Sequence, residues 1–214
     1  MTKFIALVSE RQEVGKTLLA VNLAYAIQKR GRKVLLLDGS GEGHLFSHLG
    51  AEGLNKPMQE HLKNGKIENA ITAHHSGLGI ISLGKEEKMI SELFEHLDGR
   101  ADYVLVEAGN KPSAELLSHC QECFLLFDKQ VNEGKLNAKI ELIEQAGCTI
   151  LGLVGNKLQE KMTKQFAYPI ISQIPFDSQI FSALEWHMPA VQVHPGAAFS
   201  REVEKLAYLL TGER

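Results

Sequence analysis

The sequence is poor in several things that would each have set a direction. Only three of its 214 residues are cysteine, Cys120, Cys123 and Cys148. An odd count, late and close together, excludes a framework of paired disulfides, and a reducing, cytoplasmic compartment is expected. No apolar run approaches the roughly 18–20 residues that a membrane-spanning helix needs. The opening apolar stretch, residues 4–8, is too short for an export signal. Neither sign of charge dominates: 23 Lys and Arg against 26 Asp and Glu give a formal net charge of −3. That balance does not point to a protein whose main work is coating nucleic acid, and leaves room for a local basic patch. Proline is scarce, and no Pro/Ser-rich linker, internal repeat or low-complexity stretch interrupts the chain. What remains is an ordinary globular balance, 44% hydrophobic and 23% charged. The length suits one domain that buries its core without staples, so residues 1–214 are expected to form a single domain.

The strand signals are short continuous apolar runs, at residues 4–8, 34–37, 78–83, 103–106, 124–127, 149–154 and 170–174. Continuous rather than alternating runs are what a sheet covered on both faces requires. Helical stripes lie between them: Leu19, Leu23 and Ile27; Ile90, Leu93, Phe94 and Leu97; Leu136, Ile140 and Ile143; and Val203, Leu206, Ala207 and Leu210. Gly31, Gly99 and Gly147 close the first three. Strand–helix alternation of this kind predicts an α/β fold, a mostly parallel sheet with helices on both faces. Residues 41–76 are the least regular part, with two helix-like pieces at 58–63 and 67–73.

The first strand runs into Ser9-Glu10-Arg11-Gln12-Glu13-Val14-Gly15-Lys16-Thr17, and a helix follows at once. Gly-Lys-Thr at a strand-to-helix turn is the working end of a P-loop. Gly15 lets the backbone approach phosphate, Lys16 pairs with the β- and γ-phosphates, and the Thr17 hydroxyl suits Mg²⁺. The helix start, Glu13 to Leu18, would supply oriented N–H groups. Two features depart from a standard loop. Glu10 stands where the usual pattern has glycine, and Glu13 adds a second acid where a polyanion must dock.

Residues 3–40, with Val14-Gly15-Lys16-Thr17 and Val34-Leu35-Leu36-Leu37-Asp38, resemble the start of the ParA/MinD group of deviant-Walker ATPases. That group's loop reads Lys-Gly-Gly-x-Gly-Lys-Thr. The resemblance therefore implies that Arg11 occupies the signature-lysine position, which reaches across a dimer to the partner's nucleotide. Gln12 and Glu13 replace two glycines. Asp102-Tyr103-Val104-Leu105-Val106-Glu107 resembles the family's second acidic strand. The segment around Asn156 resembles the one whose Asn recognises adenine, and Ile174-Pro175-Phe176-Asp177 resembles the C-terminal stretch. The resemblance implies ATP and Mg²⁺ as cofactors, with Leu18, Asn156 and Pro175 among the nucleotide contacts. It also implies a nucleotide-dependent homodimer and a protein partner. A second resemblance, to dethiobiotin synthetase, rests on Glu13-Val14-Gly15-Lys16-Thr17 and Val106-Glu107-Ala108-Gly109. It implies an ATP-dependent ligase.

Asp38 and Glu107 fall at predicted C-terminal strand ends, where open α/β sheets bind ligands. Either could hold a metal ion's water beside Thr17. The ParA/MinD group carries a second acid two residues after the first, to orient the attacking water; here that position is Ser40. Slow hydrolysis is the expectation, with Lys16, Asp38 and Arg11 as the catalytic set. The nine histidines lack the cysteine or carboxylate spacing of a metal site and are expected on the solvated surface. The cysteines are expected to pack. The tail Thr211-Gly212-Glu213-Arg214 shows no basic cluster, so no membrane targeting is expected, and Arg201 and Lys205 beside Glu202 and Glu204 read as a mixed solvated face rather than a nucleic-acid contact. The expected function is an ATP-binding switch with slow, dimerisation-linked hydrolysis, which positions or assembles a cellular component. The alternatives are a degenerate scaffold that binds nucleotide weakly or not at all, and the ligase.

Overall fold

A computed structural model describes residues 1–54, 58–84 and 89–212. Its strands are Lys3–Ser9 (β1), Val34–Asp38 (β2), Thr72–Ala73 (β3), Gly79–Ser82 (β4), Tyr103–Glu107 (β5), Glu122–Phe127 (β6), Thr149–Leu158 (β7) and Ile170–Pro175 (β8). They form one sheet in the order β3-β4-β2-β5-β1-β6-β7-β8. Every pairing is parallel except the short β3 against β4.

Strand β1 explains why the apolar runs are continuous. Ile5 and Leu7 enter one core, while Phe4, Ala6 and Val8 enter the other. A strand buried on both faces has no solvent side to mark with polar residues. The first core is closed by helices Lys16–Gln28 (α1) and His44–His48 (α2) together with the C-terminal helices Ile180–Glu185, Ala190–Val193 and Ala198–Thr211 (α7, α8, α9). The second is closed by Met58–Lys63 (α3), Ile90–Leu97 (α4), Ala114–Ser118 (α5) and Glu133–Gln145 (α6).

The structure departs from expectation at residues 67–73. Ile67–Ala70 is a single 3₁₀ turn, and Thr72–Ala73 is a strand. Ile67 and Ala70 enter the second core, and the chain then extends to pair with Gly79. α1 is buried on more sides than its Leu19-Leu23-Ile27 stripe indicates. Ala20, Ala24 and Ala26 are also fully buried, as is Asn22. The Asn22 amide donates to the Leu18 carbonyl at 2.8 Å and its oxygen accepts from Val191 N at 3.0 Å. That pair ties α1 to α8 through a satisfied polar group. All three cysteines are buried and free. Among the described residues no helix is long and apolar enough to cross a membrane. Arg201 and Lys205 are exposed on α9, with Lys205 paired to Glu202 at 2.5 Å. Glu213 and Arg214 of the tail lie outside the described residues.

The parallel register brings three strand ends to one edge. Leu7 is opposite Glu107 and Asp38 is opposite Glu107, so the ends of β1, β2 and β5 lie side by side. On the other side of β1, the ends of β7 and β8 carry Asn156 and Pro175. The loop after β1 therefore lies between an acidic group and a neutral one.

Candidate functional site

The loop that leaves β1 at Ser9 enters α1 through Gly15, whose φ of 101° belongs to the left-handed region. No side chain caps this helix start, which leaves its first N–H groups available to an anion. Val14 is fully buried in the first core and pins the loop down. Its carbonyl accepts from Asn156 Nδ2 at 2.7 Å. The Lys16 ammonium is folded inward, donating to Ser9 Oγ at 2.9 Å and to Asn110 Oδ1 at 3.0 Å. Burial holds its pKa below the ordinary lysine value, and the Glu107 carboxylate opposes that shift. Thr17 and Leu18 are half-buried on the first turn.

This loop floors a cavity of roughly 930 Å³, within the range of small-molecule and cofactor sites. Gly15, Lys16, Thr17 and Leu18 line it, with Glu107 and Asn110 on one side and Asn156 and Pro175 on the other. The exposed aromatic rings of Phe176 and Phe181 meet edge to face at its rim, centroids 6.1 Å apart.

The CobQ/CobB/MinD/ParA nucleotide binding domain family matches the chain over residues 5–190. The chain belongs to this family, the ParA/MinD group of P-loop proteins. An uncharacterized ATP-binding protein of Methanocaldococcus jannaschii is 23% identical over 233 residues, spanning 98% of this chain and 88% of that protein. The septum site-determining protein MinD of Pyrococcus horikoshii OT3, solved with Mg-ADP, superposes with a TM-score of 0.86 at 22% identity, covering 99% of this chain and 96% of that one. A chain of the MinC:MinD cell division protein complex of Aquifex aeolicus superposes with a TM-score of 0.80 at 22% identity, over 100% of this chain and 97% of that one. The likeness to these structures is one of fold.

Within this family's loop, the two acids behave differently. Glu10 is buried and turns away from the cavity, toward Arg11 and Asp128. Among the described residues neither of its oxygens has a hydrogen-bond partner, and burial pushes its pKa up. Glu13 lines the cavity but is exposed. Its backbone is left-handed, φ 61°, at a position where the family has glycine, and its carbonyl accepts from Lys157 Nζ at 2.6 Å. A non-glycine residue there costs roughly 1–2 kcal/mol, partly offset by the entropy that glycine loses on folding. Glu13→Gly is therefore expected to leave stability unchanged or raise it by about 1 kcal/mol. Urea unfolding checks this; a loss of stability would contradict the strain. Arg11 pairs with Asp128 and with Glu10 in its own chain.

Asp38 is fully buried and its carboxylate is engaged by its own loop. Oδ1 accepts from Ser40 N at 3.1 Å, Ser40 Oγ at 2.7 Å and Gly41 N at 3.0 Å, and Oδ2 accepts from Gly43 N at 2.7 Å. Four donors make it a loop-organising group. Glu107 differs: it is buried, and its Oε2 has no hydrogen-bond partner among the described residues. Burial first, then the neighbouring Asp38 charge, raise its pKa, against the pull of Lys16 and the Thr17 hydroxyl. Among the described residues no group of three or more His, Cys, Asp or Glu side chains could hold a metal ion alone. An orphaned carboxylate oxygen beside a threonine hydroxyl fits a cation that takes its remaining ligands from phosphate and water, as Mg²⁺ does.

Two histidines depart from the expected solvated surface. His74 is buried, and the Nε2 atoms of both His74 and His48 are buried without partners among the described residues. Burial lowers both pKa values to about 4, with His187 adding to the effect at His48 and His75 at His74. A histidine that stays neutral in the fold while the unfolded chain protonates contributes stability above the unfolded pKa, and loses it as pH falls from about 6.5 toward 4. Acidification across that window is expected to cost on the order of 3 kcal/mol for each such histidine, and His48→Gln should flatten the slope. An equally steep slope in that variant would remove the assignment to His48.

Sequence reasoning missed the partners that fix the loop: Ser9, Asn110, Asp128 and Lys157. Each stands at or just beyond the C-terminal end of β1, β5, β6 or β7. That shared position was the available signal.

Proposed function

We propose that the protein is an ATP-binding switch of the ParA/MinD kind, built as a single domain, which binds Mg-ATP, dimerises on it and hydrolyses it slowly. The observation that carries this reading is the Lys16 ammonium, buried at the floor of the cavity between Ser9 and Asn110 beside an uncapped helix start. A buried cation facing free N–H groups suits a phosphate chain. In this reading Glu13, Val14, Gly15, Lys16, Thr17 and Leu18 wrap the phosphates. Asn156 gives its Nδ2 to the loop, and its Oδ1 remains as an acceptor for the adenine amine, with Pro175 beside the base. Thr17 and Glu107 would hold Mg²⁺, which would supply positive charge to offset that of the phosphates. Asp38, occupied by its loop, shapes the metal's surroundings from behind, and hydrolysis is slow because Ser40 leaves no buried acid at position 40 to hold the water.

Arg11 is the residue assigned to reach a second copy. To do so it must leave Asp128, so dimerisation carries the cost of breaking that pair. The working compartment is the cytoplasm, and the dimer's surface engages a protein partner in positioning or assembling a cellular component. Light scattering tests the reading: Mg-ATP should double the molecular mass, and Arg11→Ala should weaken dimerisation at least tenfold while ATP affinity changes about twofold or less. A mass unchanged by Mg-ATP in the wild type would contradict the switch and favour a scaffold.

A further inference from the structure

Position 40 lacks the acid, but the same loop brings another one round. Glu42 lines the main cavity together with Lys16, Thr17 and Glu107, and it also lines a second cavity of roughly 340 Å³ with Ser40, Gly109 and Asn110. The two cavities share Gln12, Glu42 and Asn110. Their junction lies on the β2–β5 side of the loop, away from Asn156 and Pro175 on β7 and β8. A triphosphate whose base lies against Asn156 runs across Lys16 and ends toward that junction. The far side of the terminal phosphorus is where an in-line water must stand.

We propose that Glu42, steadied by His44, orients the attacking water in place of the acid missing at position 40. The loop that carries it is rigidly set. Asp38 holds Ser40, Gly41 and Gly43, and Ser40 Oγ accepts from Glu42 N at 3.1 Å. A Cβ on Gly41 would overlap the Gly84 carbonyl, and one on Gly109 would come within 2.9 Å of Ser40 Cβ. The loop is thus wedged between the chain after β4 and the chain after β5. His44 Nδ1 lies 3.4 Å from Glu42 Oε2, so the carboxylate has a partner on the first turn of α2. Glu42 also lies close enough for its charge to act on Lys16. Both side chains are about half exposed, 54% for Glu42 and 52% for His44, which leaves room for water to enter.

In the step itself the water oxygen bonds to the γ-phosphorus. The bond from that phosphorus to the bridging oxygen breaks, and its electron pair leaves with ADP. Glu42 accepts the water's proton and passes it to the departing phosphate or to solvent. Glu42 is the general base and His44 a positioning residue.

This inference rests on the ATP reading, and the test separates the two. ATP affinity is measured by calorimetry, turnover by phosphate release, and folding by thermal melts. Glu42→Gln should keep its melt and bind Mg-ATP within about twofold of wild type while kcat falls on the order of 100-fold. Ser40→Asp added to Glu42→Gln should restore at least part of the lost kcat, which a merely structural Glu42 would not allow. Unchanged kcat in Glu42→Gln overturns the role of Glu42 and leaves the ATP reading standing. Parallel loss of binding overturns it in favour of ground-state contact. A wild type that binds no Mg-ATP sinks the underlying reading and this one with it.

Discussion

Lys16→Ala is expected to abolish the rise in melting temperature that Mg-ATP gives the wild type. A ligand that binds only the folded state stabilises it by mass action, about 2.7 kcal/mol at a concentration 100 times Kd. For a chain of this size that corresponds to a rise of roughly 5–10 °C. Lys16 carries most of the charge that meets the phosphates. Arg11 is held by Asp128 and Glu10, and Lys157 is held by the Glu13 carbonyl. Removing the ammonium also takes away the lysine charge that acts on the buried Glu107 carboxylate, which leaves the cavity floor more acidic and repels the ligand further. Lys16→Arg keeps the charge but cannot make the same two short contacts to Ser9 and Asn110 in the same space. It should recover little of the rise. An undiminished rise in Lys16→Ala would mean that the phosphates lie elsewhere.

Gly15→Ala should be nearly as severe, for a different reason. Gly15 is at φ 101°, where an L side chain is strained. A Cβ there would also drive into Asn156 Nδ2, closer than real Cβ atoms come. Asn156 has little freedom to retreat, because it is 1% exposed and donates to the Val14 carbonyl. The substitution must therefore push the loop off Asn156 or rotate the amide away from Val14. Either change moves both ends of the cavity at once. Stability is expected to fall by about 2–4 kcal/mol in urea unfolding, and Mg-ATP affinity at least 100-fold in calorimetry. Gly31→Ala provides the control: its φ is 80°, but nothing lies within 4 Å of the added methyl. It should show strain alone and bind normally. Equal affinity in wild type and Gly15→Ala would contradict the close approach of loop and amide.

Much of the fold is legible in the sequence because burial on both faces leaves a direct mark. Ile5, Ala6, Leu7 and Val8 alternate between two cores, so none of them can be polar. The two-residue strand Thr72–Ala73 left no such mark, since it is too short for a pattern and its pairing depends on Gly79. At the site, Gly15, Lys16 and Thr17 could be read because their order reflects a local turn. The state of Asp38 could not. Whether its carboxylate faces a ligand or its own loop depends on Gly41 and Gly43 adopting φ values of 66° and 78°. The chemistry of Arg11 was likewise hidden, because Asp128 reaches it only through the β1–β6 pairing. Glu10 and Glu13 could be seen as a charge problem, yet only the backbone tells which acid turns away. His48 and His74 departed from the solvated surface because the local sequence says nothing about what packs over a ring, and here His187 comes from 139 residues further on to meet the His48 carbonyl.

The turn after the first strand is expected to hold the phosphates of a nucleotide although Gln12 and Glu13 stand where two glycines would. A crystal grown with a non-hydrolysable ATP analogue and magnesium tests this. Phosphate oxygens should lie on Lys16 Nζ and on the N–H groups that open α1, with the base against Asn156 and Pro175. Saturating analogue with the cavity still empty, or bound where Lys16 does not touch it, would contradict it.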